Sequence, residues 1–166
     1  MCLSRVLFEP VLSRNLWLIN YGSLKDYVEF CQAGAHDKEE KLNILEPEER
    51  VHPKELSQLE NTSSDIIIDV RPECEFDIVN LQSHFKDTLH NIPMKKLKKD
   101  SSALLDLINE KSKSVIFLCR RGNDSQLAVR DLRDIIKEKY SNVVIRDLRD
   151  GLYGWHESVD PTLPLY

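Results

Sequence analysis

The stretch Ser114-Val-Ile-Phe-Leu-Cys119-Arg-Arg-Gly-Asn-Asp-Ser125 constrains the fold more than any other part of the chain. An apolar run ends on a cysteine, a polar loop follows, and residues 125–140 carry Ala128, Leu132, Ile135 and Ile136 at the i, i+4, i+7, i+8 spacing of an amphipathic helix. A short apolar strand feeding a helix through a tight loop is the unit of a parallel sheet. In such sheets the strand delivers its last side chain to the carboxyl edge, where ligands bind, and the next helix turns its free N–H groups toward that edge. Cys119 is thereby expected in an anion cradle.

The rest of the chain supports an α/β reading. Asp65-Ile-Ile-Ile-Asp-Val70 reads as a buried strand and Asn142-Val-Val-Ile145 as another. Helices are expected at Pro53 to Glu60, with proline in the first turn, at Glu73 to Val79, and at Ser101 to Lys111 with serine as its cap. Asp150-Gly-Leu-Tyr-Gly-Trp155 reads as a turn into a last short helix, with Tyr153 and Trp155 packing it. Residues 81–90 give no clear periodicity. The expected fold is a small parallel sheet flanked by helices on both faces. The domain is expected over 51–166. Residues 1–50 read as apolar patches without partners, running into the charged, proline-broken stretch Asp37-Lys-Glu-Glu-Lys41 and Glu46-Pro-Glu-Glu-Arg50, a poorly packed linker.

A thiol at this position needs help to react. Free cysteine has a pKa of about 8.5, and the thiolate is the nucleophile. Loop amides of residues 120–124, the positive end of a helix dipole, and the charges of Arg120 and Arg121 all favour the anion. A fall of roughly two in that pKa, about 2.7 kcal/mol of differential stabilisation, would make thiolate the majority species. A cysteine ending a strand can equally be a small buried hydrophobe. Five consecutive polar or glycine residues directly after it argue for the reactive reading. Gly122 suits a tight turn, here or on any surface. Ser125 reads as a helix cap. Asp124 reads either as an acid favoured by the helix N-terminus or as a rim charge that repels small dianions.

Composition removes several classes. A net charge of −5 and a sequence pI near 5.6 disfavour direct nucleic-acid binding. Lys95, Lys96, Lys98 and Lys99 form the densest basic run and read as a solvated face. Cysteines at 2, 31, 74 and 119 form no CxxC pair, and the five histidines lack ligand spacing, so neither disulfide framework nor metal is expected. Cys74, between two glutamates, reads as a poor resolving thiol, and nothing assigns chemistry to Cys31. The amino-terminal segment is too broken by Arg5, Glu9, Pro10 and Arg14 for a membrane span or signal peptide, and a cytosolic setting is expected.

Asp69-Val-Arg71 with Glu75-Phe76, the loop from Cys119, and Asp150-Gly-Leu-Tyr-Gly-Trp155 together resemble the rhodanese-like sulfurtransferases. Cys119-Arg-Arg-Gly-Asn-Asp-Ser-Gln126, the run from Asp65 to Pro72, and the ending Pro161-Thr-Leu-Pro-Leu-Tyr166 resemble one subfamily, the carboxyl-terminal halves of eukaryotic adenylyltransferase and sulfurtransferase proteins. Residues 26–51 are similar to the join between the two halves, while residues 1–25 stand outside the resemblance; residues 1–50 are expected to be a remnant of an adenylating domain plus linker. Residues 81–93 depart from the compact turn usual in the family.

The resemblance implies a persulfide on Cys119, drawn from a cysteine desulfurase or from thiosulfate. It implies delivery of that sulfur to ubiquitin-like sulfur carriers, for thiolation of wobble uridine in tRNA and for molybdopterin synthesis. Residues Arg120, Arg121, Gly122, Asn123, Asp124 and Ser125 would form the substrate loop, with Asp69 and Arg71 as supporting braces. No cofactor is implied. The chain carries no Gly-rich nucleotide loop, and no adenylylation is expected of it. Two other functions share related scaffolds. A docking module on the same fold usually lacks the cysteine. Dual-specificity phosphatases carry an arginine six residues after it, where Ser125 stands here.

Overall fold

The computed structural model describes residues 40–59 and 64–166. The proposals made on the sequence for residues 1–39, including Cys31 and most of the adenylating remnant, lie outside them.

Five parallel strands form one sheet, β1 (Arg50–Val51), β2 (Asp65–Asp69), β3 (Leu89–Asn91), β4 (Ser114–Leu118) and β5 (Val144–Leu148), in the order β1-β5-β4-β2-β3. Among the described residues seven α-helices connect or follow them: α1 (Pro53–Ser57), α2 (Glu73–Ile78), α3 (Gln82–Phe85), α4 (Met94–Lys99), α5 (Ser102–Leu107), α6 (Asp124–Lys139) and α7 (Gly151–Ser158).

Strand β4 is central because both its faces are apolar. Val115 and Phe117 pack with Leu104, Ala128, Leu132 and Ile136 of α5 and α6, whereas Ile116 and Leu118 pack with Leu56, Leu152 and Trp155 of α1 and α7. Each such side chain, fully buried, contributes roughly 1.5–3 kcal/mol of transfer free energy. The period of two carries on past the strand end. Cys119 therefore faces α6, with Phe117.

The α/β architecture follows the sequence expectation, and the differences have local causes. Helix α5 stops at Leu107 because Ile108 turns extended, and the Ser101 hydroxyl makes no capping bond. Strand β5 starts at Val144, two residues later than expected, since Val143 N–H closes a turn onto the Tyr140 carbonyl. Across 81–90, where the sequence shows no clear period, and on to Asn91, the chain forms α3, a 3-10 turn and the edge strand β3, which among the described residues pairs with β2 alone. On α6, Ile135 is exposed while Ala128, Leu132 and Ile136 are buried.

The expected domain start at Val51 falls inside β1. Residues 40–45, expected as loose linker, are held to the loop and α6. Asn123 Oδ1 accepts from Leu42 N–H at 3.0 Å and its Nδ2 donates to the Glu40 carbonyl at 3.2 Å. Gln126 Oε1 accepts from Ile44 N–H at 2.9 Å, and its Nε2 donates to the Leu42 carbonyl at 2.8 Å. Two amide side chains, spaced i and i+3 on one helix end, thus satisfy an extended segment that pairs with no strand among the described residues.

Candidate active site

Register brings the site together. Phe117 of β4 pairs with Asp147 of β5, and Asp147 with Arg50 of β1. Directly paired residues share a sheet face, so Arg50, Asp147 and Cys119 all lie on the α6 side. Ser125, the second residue of α6, is fully buried beside them.

The Cys119 sulfur sits where main-chain N–H groups converge. Gly122 N–H donates to Sγ at 3.1 Å and Ser125 N–H at 3.4 Å. Gly122 adopts φ +83°, and a Cβ there would stand 2.9 Å from Asp150 N, so the turn that aims its amide needs glycine. Its carbonyl, facing away, is held by Gln126 Nε2 at 2.6 Å and Arg50 Nη2 at 3.3 Å. The loop's other side rests on the start of α7, where Leu152 and Tyr153 N–H groups donate to the Cys119 and Arg120 carbonyls at 3.0 and 3.2 Å. Gly151, at φ +57°, permits that approach. A Cβ on it would lie 2.2 Å from the Cys119 carbonyl oxygen.

Three sequence expectations are corrected here. First, Cys119 is only 2 % exposed, and burial pushes its thiol above the ordinary value. The Ser125 hydroxyl and N–H and the Arg121 N–H pull it down, Asp124 adds repulsion, and burial prevails. Of the amides expected at 120–124, Gly122 N–H bonds the sulfur, joined by Ser125 N–H from outside that range, and burial opposes the anion that these groups favour. Second, the arginine charges are engaged elsewhere. Arg120 lies over the Tyr166 ring at 4.6 Å and Arg121 over the Tyr153 ring at 4.5 Å, and both guanidinium groups donate to the Tyr153 hydroxyl. Third, Ser125 caps nothing. Its Oγ lies 3.4 Å from the Cys119 Sγ, from which it accepts, and donates to Asp147 Oδ2 at 3.2 Å.

Asp124 stands exposed at the rim, at the first position of α6. Asp69 and Arg71 meet as a buried pair, with Nε to Oδ1 at 3.0 Å and Nη2 to Oδ2 at 2.5 Å. Arg71 also donates to the Val79 carbonyl and the Tyr166 hydroxyl, which ties β2 to the α2–α3 turn and the carboxyl terminus.

Sequence reasoning missed Asp147 and Arg50. Asp147 is fully buried, with Arg50 Nε on Oδ1 at 2.9 Å and Nη2 on Oδ2 at 3.0 Å. The available signal was an acid at the inward phase of Val144-Ile-Arg-Asp-Leu148, between Ile145 and the following turn. Among the described residues no cluster of three or more His, Cys, Asp or Glu is placed to hold a metal, and no helix is long and apolar enough to cross a membrane.

The family model of the Rhodanese-like domain matches residues 52–158, which include the whole loop. The chain belongs to the rhodanese-like family. It is 37 % identical over 145 residues to the Adenylyltransferase and sulfurtransferase MOCS3 of Drosophila persimilis, covering 86 % of this chain and 30 % of that protein. Proteins of the same name from Culex quinquefasciatus and Caenorhabditis briggsae are 34 % identical over 148 residues and 35 % over 142, covering 86 % and 85 % of this chain and 32 % and 34 % of theirs. The chain thus spans about a third of the length of these curated relatives.

Proposed function

We propose that this rhodanese-like domain is a sulfurtransferase that carries sulfane sulfur as a persulfide on Cys119. The carrying observation is the convergence of the Gly122 and Ser125 N–H groups on a cysteine sulfur at the end of the central strand. Donors fixed around a sulfur stabilise charge that develops on it during transfer, and they cost no reorganisation at that moment. In the reaction the Cys119 sulfur attacks the outer sulfur of a donor, the donor S–S bond breaks, and the donor leaves as a thiolate. The terminal sulfur of the persulfide then attacks an activated carbonyl of the acceptor and displaces its activating group to give an acyl disulfide. An external thiol reductant cleaves that S–S bond, itself oxidised to a disulfide, to release the thiocarboxylate and free Cys119.

A cysteine desulfurase persulfide is the proposed donor, and the activated carboxyl terminus of a ubiquitin-like sulfur carrier the proposed acceptor, in the cytosol. Similarity to proteins named adenylyltransferase and sulfurtransferase supports the sulfur-transfer part of that reading, and tRNA thiolation and molybdopterin synthesis are the downstream roles proposed with it. Asp124 at the rim favours a protein persulfide over thiosulfate. Its charge acts against an anion at Cys119, and Asp124→Asn is expected to speed thiosulfate use, with a smaller effect on a protein persulfide donor. The phosphatase reading lacks its arginine, since a buried serine occupies that position. Intact-mass analysis after incubation with a cysteine desulfurase and cysteine tests the proposal. The expected result is a gain of one sulfur atom by the wild-type chain and none by Cys119→Ser; equal masses in the two would refute it.

A further inference from the structure

Gln126 is fully buried, and its amide uses its whole hydrogen-bonding capacity. Oε1 accepts from the Ile44 N–H at 2.9 Å and the Leu45 N–H at 3.4 Å, and Nε2 donates to the Leu42 carbonyl at 2.8 Å and the Gly122 carbonyl at 2.6 Å. All but one of these partners belong to the extended segment that leads into β1. The remaining one is the glycine whose N–H donates to the Cys119 sulfur at 3.1 Å. We propose that residues 42–45, seated on Gln126, are a working part of the sulfur site and hold the Gly122 N–H on Cys119 Sγ. Gln126 is the positioning residue through which they act.

The inference rests on the sulfur-transfer reading and concerns what keeps a glycine loop in one shape. Gly122, at φ +83°, has no side chain to restrict it, so its N–H keeps one direction only where the chain on both sides is tied. Before it, the Arg120 carbonyl accepts from the Tyr153 N–H of α7 at 3.2 Å. On its other side, its own carbonyl is held by Gln126 and, at the longer distance of 3.3 Å, by Arg50 Nη2. Gln126 is oriented in turn by the segment. With two N–H groups facing Oε1 and two carbonyls facing Nε2, the amide fits one way round. Without the segment, Gly122 alone would be left to orient it.

Asn123 points to the same tie independently. An asparagine just before a helix ordinarily caps it. Here the side chain makes no capping bond and instead accepts from the Leu42 N–H at 3.0 Å and donates to the Glu40 carbonyl at 3.2 Å. The Ile44 side chain is exposed, so what fastens that residue to the domain is its N–H. The chain entering the domain is thereby coupled, through one buried amide, to the group that bonds the reacting sulfur.

A clamp that served folding alone would change unfolding and leave the sulfur as it is. A hydrogen bond to a sulfur anion lowers the pKa of the thiol, so the ionisation of Cys119 reports whether the Gly122 N–H is in place. The test leaves the other groups around the sulfur unaltered: Asp124 and Ser125 of α6, Asp147 behind Ser125 with Arg50 upon it, and the two loop arginines over their tyrosines. On the full chain, ultraviolet thiolate absorbance is titrated for the wild type, for Gln126→Met, and for the double variant Leu42→Pro with Ile44→Pro, each against the same chain carrying Cys119→Ser. Single-turnover sulfur uptake from thiosulfate is followed in parallel by intact mass. Both variants are expected to raise the Cys119 pKa by about one pH unit and to slow uptake at saturating thiosulfate by about tenfold. The double variant removes two N–H groups of the segment, leaves every loop residue in place, and carries the test if Gln126→Met fails to fold. A Cys119 that titrates in the folded double variant as it does in the wild type overturns the inference and leaves sulfur transfer intact. No sulfur uptake by the wild type overturns the underlying reading, and the role of the segment with it.

Discussion

Two buried acid–guanidinium pairs flank the Cys119 loop, and they differ in what lies beyond the acid. Asp69 and Arg71, at the end of β2, are two residues apart in sequence, and their remaining bonds go to structural groups. Arg71 reaches the Val79 carbonyl and Tyr166, and Asn91 Nδ2 donates to the carbonyls of both members of the pair. Asp147 and Arg50, on β5 and β1, are 97 residues apart, and their remaining bonds go to the reactive loop, to Ser125 and to the Gly122 carbonyl. The same chemistry braces a fold in one place and reaches a sulfur in the other. Position in the hydrogen-bond network, more than residue type, separates the two roles.

The largest expected effect tests the brace. Arg71→Met strands the Asp69 carboxylate in a site that is fully buried, and breaking such a pair costs about 3–5 kcal/mol. Urea unfolding should show that loss, while sulfur uptake per folded molecule stays within a few-fold of wild type, because no bond from this pair reaches Cys119. A loss under about 1 kcal/mol would mean the pair is not a brace at all.

Arg50→Met comes next, with a loss of about 2–4 kcal/mol at pH 7. Its signature is pH dependence. The folded-state pKa of Asp147 already lies above its unfolded value of 3.8, so folding favours its protonated form. Stability from such a group is full below the unfolded value and is lost as pH rises through the folded one. Removing Arg50 raises the folded value further. The deficit of Arg50→Met against wild type should therefore shrink as pH falls from 7 toward 4, and the variant should also slow sulfur uptake. A deficit independent of pH would detach Arg50 from the Asp147 charge.

The same contrast explains what could be read from the chain without coordinates. Asp-Val-Arg is visible as a brace because its two partners are local. The strand–loop–helix around Cys119 is visible because hydrophobic periodicity and turn residues are also local signals. Arg50–Asp147 is set by parallel register between the first and last strands, which no local pattern encodes. The direction of the Cys119 shift was misjudged for a related reason. Amides, dipole and arginines can be counted along the loop, whereas burial comes from α6 and α7 closing over it, and Tyr153 and Tyr166 take up the arginine charge from outside the motif. Residues 81–90 carry no legible period because α3 is four residues long and β3 three, and β3 pairs, among the described residues, with β2 alone.

The smallest expected effect separates the two pairs by their acids. Each neighbourhood holds a weak acid raised above its ordinary value. Near Asp147 it is the Cys119 thiol, raised by burial from about 9.0, and near Arg71 it is the Tyr166 hydroxyl, raised by burial from about 10.0 with Glu75 accepting its proton. For both, the unfolded chain ionises first, so the fold binds more protons and stability falls as pH rises past the unfolded value. The two onsets differ by about one pH unit. In urea titrations the wild type should lose on the order of 1 kcal/mol to Cys119 between pH 9 and 10, a slope that Cys119→Ser removes. Tyr166→Phe should change that interval by only about 0.3 kcal/mol and flatten the curve chiefly above pH 10. If Cys119→Ser keeps the wild-type slope between 9 and 10, burial does not raise the Cys119 thiol, and the amides around the sulfur outweigh its desolvation.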